Sequence, residues 1–186
     1  GVSGTGGGAV GVALAANVIT NSVGTRIEGT TLETGATLDL TSESSSIIRT
    51  LAIGVSGSGG FAVQVTAMGN VIVNDTSALI SDSEVTAAGD ININANDIAP
   101  TMIPLMDAVG SYITDGETVQ DLKDGLSGTP FDQTANIISL MVSVAGTGGV
   151  AVNGAFTGNV ISNSIEALID NSKVVSNTGI IQLDTE

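Results

Sequence analysis

Three residue types are missing from this 186-residue chain: cysteine, histidine and tryptophan. Without cysteine, no disulfide can hold the fold together, and the usual thiolate and imidazole ligands of zinc and haem are missing too. Catalytic triads that depend on histidine or on a cysteine nucleophile are excluded for the same reason. No Ser–Lys pair stands in a context that would replace them.

Aromatic and basic side chains are scarce. The aromatic residues are Phe61, Tyr112, Phe131 and Phe156, which is few for a compact globule, whereas a narrow solenoid can be filled with Val, Ile, Leu and Ala. Four basic residues stand against 19 acidic ones, for a net charge of −15. This balance opposes binding to nucleic acids or to anionic membranes. The acidity itself has two interpretations, solubility or the binding of divalent cations.

Long apolar runs are absent as well. No window approaches the roughly 18 strongly apolar residues of a membrane helix. The most apolar run, Ile137 to Val144, is too short and is soon followed by glycines. The chain also shows no signal peptide.

What the chain does contain is one stretch that occurs three times. The copies begin at Ser3, Ser56 and Ala145, and each combines a glycine cluster, alternating residues and the ending Asn-Val-Ile. The first two copies are offset by 53 residues and the last two by 89. Within each copy, however, the asparagine follows the middle glycine by eleven residues, and this constant internal spacing indicates a repeat protein.

Within each copy, larger apolar residues alternate with small or polar ones. In the second copy, Val63 and Val65 occupy one side of the alternation, and Gln64 and Thr66 occupy the other. A period of two is typical of a strand, and the β-branched residues and glycines argue against a helix. Shorter strand-like pieces follow, separated by Ser, Asp and Gly turns. The pattern predicts an all-β fold, a parallel β-helix or β-solenoid of expected right-handed winding, in which stacked copies bury their apolar faces.

Two sets of asparagines keep the repeat spacing: Asn17, Asn70 and Asn159, and Asn21, Asn74 and Asn163. If each set lies in a column, its amides can hydrogen-bond along the array. Two coils per repeat, however, would keep these partners from being immediate neighbours. The sequence leaves this question to the structure.

The repeats divide the chain into four segments: 1–53 is repeat 1, 54–96 is repeat 2, 97–137 is an insertion and 138–186 is repeat 3. The insertion holds all three prolines and the only tyrosine. Its apolar residues recur at three- and four-residue steps, which predicts two short helices. These residues are Met102, Leu105, Met106, Val109, Tyr112 and Ile113, then Val119, Leu122 and Leu126. The helical insertion either covers a flank of the solenoid or contacts a partner.

No set of residues points to catalysis, so we expect that the protein is not an enzyme. Carboxylate pairs can cleave glycosides, and β-helices do host polysaccharide lyases, but such sites also need basic or aromatic residues. The glycine clusters lack the Lys-Ser/Thr of a phosphate loop and precede strands. We assign no catalytic, cofactor-binding or metal residues.

Calcium stays open as an alternative. Oxygen ligands lie at several turns, without an EF-hand loop or a β-roll nonapeptide. The candidates are Asn74-Asp75, Asp82-Ser83-Glu84, Asp90–Asp97 and Asp170-Asn171.

Two adjoining stretches resemble the repeats of very large bacterial secreted adhesins and exoproteins. They read GVSGSGGFAVQVTAMGNVI and VNDTSALISDSEVTAAGDININAND. The group includes filamentous haemagglutinin-like proteins, leukotoxin-like giant proteins and autotransporter passenger domains. The resemblance covers about four-fifths of the chain, all but the insertion. It implies a parallel β-helix, export across the envelope and an extracellular or cell-surface location, and it is unspecific for any ligand.

We therefore expect a non-enzymatic structural or adhesive segment of a long extracellular or cell-surface fibrous protein. The alternative is a calcium-dependent module that binds glycans or cleaves polysaccharides. The chain begins at Gly1 in a glycine turn and closes with Ile180-Ile181-Gln182-Leu183 near its end, without an evident capping repeat. We expect such a piece of a longer array to stack end to end on itself into filaments. A glycan or protein of a host or bacterial surface is the further partner we consider, and neither nucleic acid nor membrane insertion is expected.

Overall fold

A computed structural model describes residues 2–98 and 136–186, and every regular element in them is a strand. The twelve strands are β1 (Val2–Thr5), β2 (Gly8–Glu28), β3 (Thr31–Thr34), β4 (Leu38–Ser44), β5 (Ile48–Ser58), β6 (Phe61–Ser81), β7 (Glu84–Ala87), β8 (Ile91–Asp97), β9 (Ile137–Thr147), β10 (Val150–Asp170), β11 (Lys173–Ser176) and β12 (Ile181–Thr185). Strands β2, β6 and β10 each hold 21 residues. They coincide with the alternating stretch of the three copies and its continuation.

The strands form four three-stranded sheets, and each sheet takes one strand from each copy. The orders are β1-β5-β9, β10-β6-β2, β11-β7-β3 and β12-β8-β4. Pairing is parallel in the first, third and fourth sheets, where Ile48 lies opposite Ile137 and Ile91 lies between Leu38 and Ile181. Equivalent strands of successive copies are therefore immediate neighbours within these sheets. The predicted parallel β-solenoid is confirmed.

The predicted helical insertion, residues 97–137, lies outside the described residues except at its ends. Asp97 is the last residue of β8, and Ile137 is the first residue of β9. The flanking strands thus reach one residue into the segment on each side. No helix occurs in the two described ranges.

The chain clusters into two compact units that cut across the repeats. Unit 1 comprises the described residues of Gly1–Val18, Ile47–Val71 and Pro100–Val160. Unit 2 comprises the described residues of Ile19–Ser46, Ile72–Ala99 and Ile161–Glu186. Each copy contributes one segment to each unit.

Unit 2 has an apolar core. Its buried members are Leu40, Ala78, Ile80, Val85, Ala87, Ile91, Ile93 and Ala95. Partly buried side chains of the outer copies, including Ile27, Leu32 and Ile169, pack against this cluster. In this unit the buried side of β6, from Ile72 to Ile80, is the side opposite to the one that carries Val63 and Val65.

The turn after each long strand explains one repeated sequence feature of unit 2. Equivalent positions hold Gly29, Asp82 and Asn171, and their φ angles are 61°, 49° and 43°. This left-handed region favours glycine, asparagine and aspartate. The turn residues are therefore selected by backbone geometry.

Unit 1 is filled differently, with small and polar side chains. Its first sheet and the first halves of β2, β6 and β10 bring Gly54, Gln64 and Thr66 together in the interior, and all three residues are buried. A Cβ atom at Gly54 would collide with the side chains of Gln64 and Thr66, so glycine permits the close approach of the two layers. The larger apolar residues of the long strands point outward here. The expectation that stacking buries the larger apolar face is therefore wrong for unit 1.

Candidate functional site: open edges and the outer face of unit 1

Three asparagines form a column across the long strands of unit 1, in which Asn70 is buried and Asn17 and Asn159, at the two ends, are exposed. The Asn17 amide donates to Asn70 Oδ1 at 2.8 Å, and the Asn70 amide donates to Asn159 Oδ1 at 3.0 Å. Thr50 of the facing sheet also donates to Asn70 Oδ1, at 2.7 Å, while Asn70 donates to Ser139 Oγ at 2.8 Å. The predicted column is therefore present, and it also ties the two layers of the unit together.

The column has a direction, because each amide donates toward the third copy. Among the described residues, Asn17 Oδ1 and Asn159 Nδ2 have no hydrogen-bond partner. One end of the column thus offers an acceptor and the other end offers a donor. The two ends are chemically complementary.

The second set of asparagines, in unit 2, is interrupted. Asn21 donates to Asn74 Oδ1 at 3.4 Å, as a column requires. Asn74 and Asn163, however, both donate to the carboxylate of Asp97 at the end of β8. The spacing between copies could not show this, since Asp97 lies on β8, a different strand from the one that carries Asn74.

Glycines of the repeated turn stack directly on one another in unit 1. A Cβ atom at Gly60 would lie 2.6 Å from the carbonyl oxygen of Gly7, and one at Gly59 would lie 2.7 Å from that of Gly6. The third copy repeats this relation, because a Cβ atom at Gly149 would collide with the backbone of Gly60. A Cβ atom at Gly6 or Gly7 would meet nothing within 4 Å. The glycine cluster is thus a stacking element, and its first copy is open.

The outward side of the long strands in unit 1 forms a surface that we call the apolar face. It consists of Val10, Val12, Leu14, Ala16 and Val18 on β2, Val63, Val65, Ala67, Gly69 and Val71 on β6, and Val152, Gly154, Phe156, Gly158 and Val160 on β10. Side chains on the outer strands are widely exposed: Leu14 is 76% exposed and Phe156 is 64% exposed. Large exposed apolar side chains in one contiguous group are typical of interaction surfaces.

Among the residues that the structure describes, charge is distributed very unevenly between the units. In the described part of unit 1, Arg49 is the one charged residue, and partial burial lowers the pKa of its guanidinium. Every acidic residue that the structure describes belongs to unit 2: Glu28, Glu33, Asp39, Glu43, Asp75, Asp82, Glu84, Asp90, Asp97, Glu166, Asp170, Asp184 and Glu186. The apolar face itself therefore carries no charge that would repel a second chain.

No protein-family model, curated protein or solved structure matches this chain. Its function is therefore argued from the edges, the column and the apolar face.

Two of the groups considered for calcium meet in unit 2, because Asp82, Ser83, Glu84 and Asn171 line one hollow together with Lys173. Asn171 donates to Asp82 Oδ1 at 2.5 Å, Lys173 pairs with Glu84, and Asn74 bonds to Asp97. Across residues 2–98 and 136–186, no three acidic side chains cluster in a way that could hold a metal ion. In the same ranges, no helix has the length and hydropathy that a membrane crossing requires.

Proposed function

We propose that this chain is a non-enzymatic structural and adhesive segment of a long fibrous protein at the cell surface or outside the cell. Within that fibre, coils of successive segments stack end to end. The observation that carries the proposal is the pair of complementary open edges left by the first and third copies.

The edges are complementary because the middle copy pairs in parallel on both sides. In the first sheet, β5 pairs with β1 through Val55 opposite Val2, and with β9 through Val55 opposite Val144. Parallel strands β1 and β9 leave one side each unpaired within the described sheet. The open side of β9 is equivalent to the side of β5 that receives β9. A second chain can therefore add its first copy to the third copy of this chain.

The asparagine column supports the same addition. Its open donor, Asn159 Nδ2, would face the open acceptor, Asn17 Oδ1, of the added chain. Both open groups are exposed to water in the single chain, and a continued column would replace the hydrogen bonds to water that stacking removes. A head-to-tail contact of this kind does not close on itself and generates a filament.

The extracellular and adhesive parts of the proposal are supported by the repeat motif. The motif resembles the repeats of giant secreted adhesins over about four-fifths of the chain, all but the insertion. The confirmed solenoid agrees with the parallel β-helix that this resemblance implies. The acidic surface of unit 2 suits a fibre that must stay dispersed in water.

Electron microscopy and light scattering of the purified chain test the proposal. We expect filaments that grow as sodium chloride rises, because salt screens the repulsion of the acidic chains beyond roughly 8 Å at physiological ionic strength. A monodisperse monomer at every salt concentration and at high protein concentration would contradict the proposal.

A double substitution, Gly6→Val with Gly7→Val, sharpens this test; we call it the edge-blocked variant. Both new side chains enter open space within the chain, so the fold and its circular dichroism should be retained. On the equivalent glycines of the second copy, a Cβ atom points at the preceding copy, so the new side chains would obstruct an added chain. We expect monomers or small oligomers in place of filaments. Unchanged filaments would exclude stacking through this edge.

A further inference from the structure

The apolar face has a hollow and a projecting side chain on the same side of the sheet. Leu14, Ala16, Ala67 and Gly69 border a shallow hollow of about 460 Å³ at its middle. Phe156 projects from the neighbouring strand on the same side and is 64% exposed. The face thus carries both a projecting ring and an apolar hollow, which is the requirement for a self-complementary contact.

The chemistry of the face favours a neutral, apolar partner. No charged residue lies on it, and the nearest formal charge in the described part of unit 1 is Arg49 on the opposite sheet. A cationic or anionic partner would therefore find no counter-charge at the face. A second copy of the same uncharged face loses no ionic hydration when it binds.

A lipid bilayer is disfavoured as the partner of an unstacked chain by the open sheet edges. The face ends on both sides at strands β2 and β10, whose outer edges carry unpaired backbone groups within the described sheet. In hydrocarbon, such groups cost several kcal/mol each, and open sheets are not found there. Between two chains in water, the same edges stay hydrated.

The size of the face sets the strength of the contact. Nine residues on each of three strands span about 30 Å by 14 Å, or roughly 400 Å² in projection. A standard protein interface buries about 800 Å² of accessible surface per partner. The face is therefore large enough for a weak contact, with a dissociation constant of roughly 10–500 µM.

We propose that the apolar face pairs with the apolar face of a second copy of this chain, so that filaments associate side by side. This contact is separate from the end-to-end stacking at the strand edges. Two sheets would pack about 10 Å apart, with Phe156 of each copy over the hollow of the other.

Sedimentation equilibrium of the edge-blocked variant tests the pairing without interference from stacking. We expect a monomer–dimer equilibrium in the range of roughly 10–500 µM. In the same background, Leu14→Asp with Phe156→Asp introduces two charges at the centre of the face. These substitutions should lower the association constant at least about tenfold, because an unpaired charge would be buried in the contact.

The matched control is Thr20→Asp with Ser162→Asp. Both residues are exposed and lie on the outward side of β2 and β10, six positions beyond the substituted ones and outside the apolar face. They add the same charge, so they should change the association constant by less than about threefold.

Three outcomes would overturn the pairing. The first is an edge-blocked chain that stays monomeric up to 1 mM, roughly twice the weakest dissociation constant expected, which would mean that the face is covered from within the chain. The second is a dimer that tolerates the two aspartates at the face. The third is a monomer that binds neutral phosphatidylcholine vesicles through this face, which would assign the face to lipid. If the edge-blocked chain still forms filaments, mass per length by electron microscopy replaces sedimentation, and the face variant should halve it while the control does not.

Discussion

Two buried amide side chains of unit 1, Asn70 and Gln64, differ in how fully their hydrogen-bonding groups have partners. Both side chains are fully buried. Asn70 accepts from Asn17 and Thr50 and donates to Ser139 and Asn159. Gln64 Oε1 has no partner in the described part of the chain, and its amide makes contacts of only 3.2 and 3.4 Å. We infer that Asn70 stabilises the fold and that Gln64 contributes little.

Substituting each amide by an apolar residue of similar size tests this inference. Asn70→Leu should cost about 3 kcal/mol, because it leaves several buried partners without a bond. Gln64→Met should change the free energy of unfolding by less than about 1 kcal/mol, because it removes an unsatisfied acceptor. Urea unfolding followed by far-ultraviolet circular dichroism measures both values. Equal losses for the two variants would contradict this account of the interior.

Sequence spacing predicted which asparagines could meet, and it could predict little more. The positions of Asn17, Asn70 and Asn159 in one column followed from their equivalent places within the three copies. The insertion of Asp97 beside Asn74 did not, because it depends on where a different strand of the coil ends. The offsets between copies identify equivalent residues of successive copies. They carry no information about contacts between two strands of the same copy.

The long strands show the same limit at the scale of elements. Alternation along β6 defined two sides correctly, but it did not say which side faces inward, since the period of two is the same for both. In unit 2 the inward side carries residues such as Ile80. In unit 1 the inward side carries Gln64 and Thr66, and valines face outward. The same even-numbered side of β6 is buried in both units, so the difference lies in the residues which that side carries.

The glycine turn makes a prediction about stacked elements. Gly60→Ala should cost about 1–3 kcal/mol, because its Cβ atom would lie 2.6 Å from the Gly7 carbonyl oxygen and backbone would have to move. Gly7→Ala is the matched control at the equivalent position of the first copy. It should leave stability unchanged or raise it by up to about 0.5 kcal/mol, since alanine restricts the unfolded chain. Thermal unfolding of the two variants and the parent chain, at protein concentrations too low for filaments to form, compares them, and similar losses would argue against stacked turns.

The difference in burial between the two sides of the strands leads to a second prediction. Ile93, on β8, is fully buried in the core of unit 2, so Ile93→Ala should cost about 2–5 kcal/mol. Val12, on β2, is 54% exposed, so Val12→Ala should cost less than about 0.5 kcal/mol. Urea titrations of the two variants beside the parent chain give both numbers. A loss at Val12 as large as that at Ile93 would place the valines inside.

At the scale of the whole molecule, the repeat pattern predicted the class of fold but not which strands would be neighbours. Three copies of one stretch predicted a parallel solenoid, and parallel pairing of the copies confirms it. The sequence left open whether equivalent residues of successive copies are neighbours, and the registers show that they are. The predicted helices of the insertion fall outside the described residues and stay a prediction.

Net charge leads to a prediction about assembly. Most of the acidity lies in unit 2 without clustering into a metal site among the described residues. Divalent cations should therefore promote filament growth by screening alone, so Mg²⁺ and Ca²⁺ at equal ionic strength should act equally. Light scattering in the two salts measures this, with sodium chloride at the same ionic strength as the control. A response to Ca²⁺ at micromolar concentration, confirmed by calorimetry with an acidic polysaccharide, would favour the calcium-dependent glycan module instead.

Reactivity of introduced thiols tests most directly whether the strands of unit 1 turn their larger apolar residues outward. The chain has no cysteine of its own, so single variants at Ala9, Val10, Val12, Ala13 and Leu14 each present one thiol. With the edge-blocked variant at low concentration, thiols at positions 10, 12 and 14 should react with a water-soluble maleimide as fast as in the unfolded chain. Thiols at positions 9 and 13 should react at least about tenfold more slowly, because they become accessible only by local opening. The reverse alternation would place the valines in the interior, and no alternation would mean that β2 is not a strand of the sheet.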